Sequence, residues 1–208
     1  MKYKLIIFDF DGTLADTFLW FLNSLDVVAD TFDLIKIDRS RIAELRQLNA
    51  ASFLKHLNIP LYKLPAISAF MRSRMKQQIE EITLFAGVEK MLKELKARGQ
   101  QIAIVSTNSH ENIEQVMGGE LVNMTDHFVG GVSLFGKEIK LKKVLKQSGI
   151  NREDAIYIGD ELRDVQASQK IGLPCGAAAW GYNAAAALKA LSPTFIFYKL
   201  DDILEKIS

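Results

Sequence analysis

The run Leu5-Ile6-Ile7-Phe8-Asp9-Phe10-Asp11-Gly12-Thr13-Leu14 restricts this chain more than any other stretch. Its first four residues are apolar without alternation, the pattern of a strand buried on both faces, and such strands belong to sheets covered by helices on each side. Two carboxylates appear where the apolar run stops. Side chains alternate along a strand, so Asp9 and Asp11 project to one side if the backbone stays extended, with Phe8 and Phe10 on the other. Like charges at that separation repel, and the pair is tolerated when a cation neutralises it or one acid keeps its proton. Gly12 permits a sharp exit from the strand, and Thr13 adds a hydroxyl and an N–H beside the acids. Taken alone, an Asp-Gly pair after a strand also fits an ordinary turn, and the rest of the chain decides between the two.

Helical periodicity takes over after Thr13. Leu14, Phe18, Phe21, Leu22, Leu25 and Val28 recur at three- and four-residue steps, and residues 34–38 break the pattern. A second helical stretch carries Ile42, Leu45 and Leu48, and a third carries Phe53, Leu54 and Leu57. Pro60 and Pro65 mark a loop, and a long helix is predicted over 67–82. No strand pattern interrupts residues 15–82, so the interval reads as a block of helices inserted after the first strand. Beyond it strands and helices alternate. Val88, Met91, Leu92 and Leu95 mark a helix closed by Arg98-Gly99, and residues 101–105 form an apolar strand ending on Ser106-Thr107-Asn108. A helix over 111–116, a short strand over 128–132 and a helix with Leu141, Val144 and Leu145 come next. Residues 155–158 form a strand ending on Gly159-Asp160, followed by a helix through Val165 and Ile171, short strands at 176–179 and 194–197, and a closing helix over 202–207.

This alternation predicts an α/β fold, a doubly wound parallel sheet of Rossmann-like form. Ligands of such sheets sit beyond the carboxyl ends of the strands. Three polar clusters fall there, at residues 9–13, 106–108 and 159–164. Asp9, Asp11 and Asp160 converging would form a hard, oxygen-rich pocket suited to Mg²⁺, with Asp164 one helical turn past Asp160. Ser106, Asn108 and the N–H groups opening the next helix suit phosphate oxygens, and Lys137, ahead of a helix, is the candidate cation. A net charge of +1 disfavours nucleic acid or an anionic membrane as an obligatory partner. Cys175 has no partner for a disulfide, which points to a reducing compartment and a cytoplasmic setting. Lys2 and Lys4 precede too few apolar residues for a signal peptide, and no run approaches the roughly 20 of a membrane span.

Asp-x-Asp-Gly-Thr after one strand, Ser-Thr-Asn after a second, a lysine before a helix and Gly-Asp-x-x-x-Asp after a third resemble, in this order, the haloacid dehalogenase superfamily. The resemblance spans essentially the whole chain and runs to phosphatases of the phosphoglycolate-phosphatase-like type, whose corresponding loop Trp180-Gly181-Tyr182-Asn183 also resembles. It implies a core domain of residues 1–15 and 83–208 and a helical cap domain of residues 16–82 that closes over the substrate. It also implies Mg²⁺-dependent hydrolysis of a small-molecule phosphate monoester, phosphoglycolate-like or a sugar phosphate, through an aspartyl-phosphate. In that reading Asp9 is the nucleophile, Asp11 the general acid and then base, and Ser106, Thr107, Asn108, Gly12 and Thr13 surround the phosphoryl group. Lys137 holds nucleophile and phosphate together. Asp9, Asp11 through its backbone carbonyl, and Asp160 hold Mg²⁺, with Asp164 in support.

Many relatives carry proline soon after the lysine, whereas this chain reads Lys137-Glu138-Ile139-Lys140, which keeps Lys140 as the alternative. A dehalogenase would not need Asp11; a sugar phosphomutase carries the same core acids, and a catalytically silent binding module is the alternative of a different class. His56, His110 and His127 lack metal-ligand spacing. Arg72, Arg74 and Lys76 either face an anionic substrate or form a solvated helix face, and Phe18, Trp20 and Trp180 are expected to pack rather than bind.

Overall fold

The computed structural model describes residues 2–131 and 136–207. Its strands are β1 (Leu5–Phe8), β2 (Ala15–Asp16), β3 (Thr83–Leu84), β4 (Gln101–Val105), β5 (His127–Val129), β6 (Ala155–Gly159), β7 (Cys175–Ala178) and β8 (Phe195–Phe197). Six of them form one sheet in the order β5-β4-β1-β6-β7-β8, and every pairing in it is parallel. β1 lies in the middle. Phe8 is level with Ile104 of β4 and Ile158 of β6, so the three central strands end together. The polar residues that follow each strand therefore arrive at one edge within two residues of each other.

The helices are α1 (Phe18–Phe32), α2 (Ile42–Leu45), α3 (Ala50–His56), α4 (Leu64–Gln77), α5 (Val88–Ala97), α6 (His110–Asn123), α7 (Lys137–Ser148), α8 (Leu162–Ile171), α9 (Ala185–Ala190) and α10 (Asp201–Lys206). Alternation along the strands divides the core into two layers. Ile6, Phe8, Phe10, Ile104 and Ile158 pack on one face with α5 and α10 residues such as Leu92 and Ile203. Leu5, Ile7, Val105 and Tyr157 pack on the other with Leu141, Val144 and Ile171 of α7 and α8. All four β1 side chains are fully buried, each contributing about 1.5–3 kcal/mol relative to exposure, which explains a strand without a polar residue.

Residues 17–82 contain helices and no strand. Their junction with the sheet is a narrow antiparallel ribbon in which Ala15 pairs with Leu84 and Asp16 with Thr83, so Asp16 belongs to the crossing rather than to the helices. The block has its own small core of Val28, Leu54, Leu57, Ile59 and Ile67, while Trp20 and Met75 join the main core. Pro65 sits in the first turn of α4 rather than in a loop, where its missing N–H costs nothing. Leu14 is buried in the turn ahead of α1 and does not start that helix. The long helix expected to reach residue 82 ends at Gln77 and yields to a 3₁₀ turn. The helix after Ser109 runs longer than its apolar spacing indicates, with Gly118 at φ 73° as a break inside it. The short strand after it ends at Val129, and Val132 lies outside the described residues. The alanine-rich α9 carries too little apolar periodicity for the sequence pattern to mark it as a helix.

Candidate active site

Asp9 follows β1 directly, and its N–H donates to the Ile158 carbonyl (2.8 Å), which keeps it in register with β6. Its carboxylate is 2% exposed and doubly held: Oδ1 accepts from the Phe10 N–H (2.8 Å) and Oδ2 from Lys137 Nζ (2.6 Å). Lys137 opens α7, and its ammonium also binds Asp164 Oδ1. Asp164 stands in the first turn of α8, where its other oxygen accepts the Glu161 N–H (2.9 Å) in a capping box and the Tyr157 hydroxyl adds a bond (3.1 Å). Burial pushes the Asp164 carboxyl up, but Lys137, Arg163 and these bonds outweigh it and hold the carboxyl below the ordinary carboxylate range. Lys140, the alternative lysine, is buried one turn further on with no hydrogen-bond partner for Nζ among the described residues. Burial, then the charges of Lys137 and Arg163, push it down to about 8. The two lysines are thus distinguished by which one faces the acids.

Asp160 directly follows β6 and is fully buried. Oδ1 accepts from the Thr13 hydroxyl (2.6 Å) and Oδ2 from the Tyr182 N–H (2.7 Å). No cation is bonded to it among the described residues, and burial, then Glu161, Asp164 and Asp9, push its carboxyl well above the usual range. Carboxylate oxygens of Asp9, Asp160 and Asp164 lie within 4.8 Å of one another. That all-oxygen donor set, with one acid lacking compensation, fits a hard divalent cation such as Mg²⁺. Asp164, expected beside Asp160 from the one-turn spacing, lies in this cluster with Asp9 and Asp160, whereas the Asp11 side chain, whose expected contribution is its backbone carbonyl, lies outside it. The reason is backbone geometry. After Phe10 the chain turns tightly, with the N–H groups of Thr13, Leu14 and Ala15 all donating to the Phe10 carbonyl, so the strand alternation does not carry on to Asp11.

Asp11 instead faces Asn108, whose Nδ2 donates to both carboxylate oxygens (3.2 and 3.3 Å). Burial and the charge of Asp9 raise its carboxyl to about 7, against the opposing bond from Asn108. Gly12 has φ +76°, and a Cβ there would stand 2.3 Å from Asp160 Oδ2, so the turn demands glycine on both counts. Ser106 is buried, with Oγ accepting from the Asn108 N–H (3.0 Å), and Ser109 caps α6 through the Asn112 N–H (3.2 Å). Thr107 and Asn108 line a cavity of about 260 Å³ that runs from Asp11 into the helical block.

Several residues here carry no motif of their own. Glu161 and Arg163 form a half-buried ion pair beside the acids, and Tyr157 backs Asp164 from inside the sheet. The loop after β7 ties sheet to helices. Arg46 donates to the Gly181 and Tyr182 carbonyls (2.6 and 2.9 Å), and Asn183 Nδ2 donates to the Arg46 and Leu48 carbonyls (2.8 and 2.9 Å). Only its Trp-Gly-Tyr-Asn composition marked this loop. Trp180 donates to the Thr13 carbonyl (3.2 Å) and is structural. Phe18 and Trp20, expected to pack, also line the cavity, as does Arg72, whereas Arg74 is bonded to Ser24 (3.1 Å). His110 and His127 lie by Phe128 and Gln101, respectively, away from the acids.

A parallel sheet whose central strands deliver buried carboxylates to one edge, met there by a lysine from α7 beneath an inserted helical block, is a Rossmann-like α/β core with its site at the strand ends. Residues 6–178 match the family model described as haloacid dehalogenase-like hydrolase, and the chain belongs to that family. A phosphoglycolate phosphatase of Synechococcus elongatus is 28% identical over 204 residues, covering 98% of this chain and 96% of that protein. The pyrophosphatase PpaX of Bacillus cereus is 27% identical, covering all of this chain and 98% of the relative. A haloacid dehalogenase-like family hydrolase of Streptococcus pneumoniae shares the fold, with a TM-score of 0.81 at 22% identity over 100% of this chain and 99% of the other.

Proposed function

We propose that this chain is a Mg²⁺-dependent phosphatase that hydrolyses a small-molecule phosphate monoester through an aspartyl-phosphate on Asp9. The observation that carries the reading is the division of labour at the strand tips: Asp9 sits with Lys137 and the carboxylates of Asp160 and Asp164, while Asp11 stands apart on Asn108 at the mouth of the cavity. Relatives named for phosphoglycolate and pyrophosphate hydrolysis support phosphorus as the reacting centre.

Asp9 attacks phosphorus, the bond to the ester oxygen breaks, and the departing alcohol takes a proton from Asp11. Water then attacks the acyl phosphate, Asp11 accepts its proton, and phosphate leaves with the Asp9 carboxylate restored. Asp11 is suited to both halves because burial brings it to about 7, near equal populations of acid and base at neutral pH. Lys137 restrains the nucleophile and offsets charge on the phosphoryl oxygens, and Thr107, Asn108 and the start of α6 receive those oxygens. Mg²⁺, when held by Asp9, Asp160 and Asp164, would supply further neutralisation of the transferring group. Residues 16–82 act as the cap, held shut by the Arg46 and Asn183 bonds and by Asn112 Nδ2 on the Arg72 carbonyl (3.1 Å). A cytoplasmic setting belongs to the proposal and is supported by the lone, buried Cys175; among the described residues no helix is long and apolar enough to cross a membrane.

The test is phosphate release from p-nitrophenyl phosphate with and without Mg²⁺. Turnover that requires the metal and disappears in Asp9→Asn is the expected outcome; absence of turnover under both conditions would overturn the assignment.

A further inference from the structure

The cavity that holds Asp11 is lined by two chemically different sets of residues. Its near end is polar, with Asp11, Thr107, Asn108, Glu161 and Arg163. Its far end is walled by Phe21, Leu25, Leu54, Ile59, Ile67 and Met71, which come from α1, α3, α4 and the segment between them. Two of the three arginines on the walls are engaged by the protein itself. Arg46 spends its guanidinium on the Gly181 and Tyr182 carbonyls and lies over the Phe18 ring, 5.0 Å from its centroid. Arg163 pairs with Glu161. Arg72 also lines the cavity, one helical turn beyond Ser68 on α4, and its carbonyl accepts from Asn112 Nδ2 at the start of α6. A carboxylate on the leaving group, pushed among the distal apolar residues, would lose its hydration, a heavy penalty that only Arg72 among the wall residues could offset. The whole cavity, its polar end included, measures about 260 Å³, against the roughly 150 Å³ of an aliphatic cavity that holds a benzene ring.

We infer that the leaving group is an apolar alcohol, one aromatic ring or an alkyl chain of comparable length, rather than a two-carbon hydroxy acid. The inference rests on the phosphatase reading above and narrows its substrate class. Binding energy from a non-reacting chain contributes to kcat/KM, and each methylene moved from water into such walls is worth about fourfold. The substrate would have to come from a reaction that phosphorylates an apolar alcohol or releases its phosphate ester.

The experiment measures phosphate release by the full chain with Mg²⁺ from n-alkyl phosphates of increasing length, phenyl phosphate, phosphoglycolate and pyrophosphate. kcat/KM should climb about fourfold per methylene until the cavity is full, and the longer esters should exceed phosphoglycolate by at least about tenfold. Ser68 lies on the wall, and Ser68→Phe, which puts a ring into the space, should lower the ratio of hexyl to ethyl phosphate by about tenfold or more. A flat length series, or phosphoglycolate preferred over every alkyl ester, overturns the inference and leaves the phosphatase assignment standing. Release of phosphate from none of the compounds overturns both. Should Ser68→Phe not fold by circular dichroism, the wild-type series decides by itself.

Discussion

Lys137→Met tests whether the buried ion pairs are what this site stands on. The ammonium is 4% exposed, 2.6 Å from Asp9 and bonded to Asp164, so its removal strands two buried carboxylates. Breaking such a pair costs about 3–5 kcal/mol, because the charge left behind is not compensated. At about 2–4 °C per kcal/mol for a chain of this length, the Tm should fall by about 6–20 °C at neutral pH in EDTA. The loss should also depend on pH. In the wild type Asp164 sits below its usual value of 3.8, so its contribution is present above that value and is lost only as pH falls through the folded pKa. In the variant the cation is gone and burial pushes the same carboxyl upward. That contribution is then greatest at low pH and is lost as pH rises, so the gap between the two proteins widens from about pH 4 to about pH 7. Lys140→Met is the control. Its ammonium is buried without a hydrogen-bond partner among the described residues and is pushed down to about 8 by burial and by Lys137 and Arg163, so its removal should leave Tm at or above wild type. Thermal melts by circular dichroism at about pH 4.5 and about pH 7.5 decide the matter. A Lys137→Met Tm within about 2 °C of wild type, or a larger loss in Lys140→Met, refutes the pairing.

Asp9→Asn should retain the fold and lose turnover, since it keeps the shape and removes the attacking charge; near-normal turnover, with deamidation excluded, would demote Asp9 to a metal ligand. Mg²⁺ should raise the wild-type Tm, by about 2.7 kcal/mol of linkage at a hundredfold excess over Kd, and raise that of Asp160→Ala much less; equal responses would remove Asp160 from the ligand set. Gly181→Ala places a Cβ 2.3 Å from Asp160 Oδ2, so it should weaken the Mg²⁺ response as well as lower Tm, and an unchanged response in the melts would show that the loop yields freely. Asp11→Asn should lower kcat by about 10²–10⁴-fold, and the wild-type rate, where it needs protonated Asp11, should fall as pH rises through about 7; a limb that persists in the variant belongs to another group.

The sheet was legible in the sequence because its strands are short apolar runs that end abruptly in polar residues, and the β1 carboxylates, Ser106 to Asn108 and Asp160 each lie directly past such a run. A strand's end is a local property: burial stops where the polar side chains begin. The insertion after β1 was legible for the same reason, as helical spacing without alternation. Tertiary structure decided the rest. The tight turn on the Phe10 carbonyl swings the Asp11 side chain toward Asn108 and out of the cluster of Asp9, Asp160 and Asp164, and three N–H groups converging on one carbonyl leave no periodic trace. Lys137 and Lys140 lie one helical turn apart with similar flanks, and only the approach of α7 to α8 determines which of them meets the acids. Arg46, Tyr182, Asn183 and the cavity walls become functional neighbours through contacts that span more than a hundred residues. Such contacts arise from the packing of whole elements, and no single element's residue pattern encodes its partner's position.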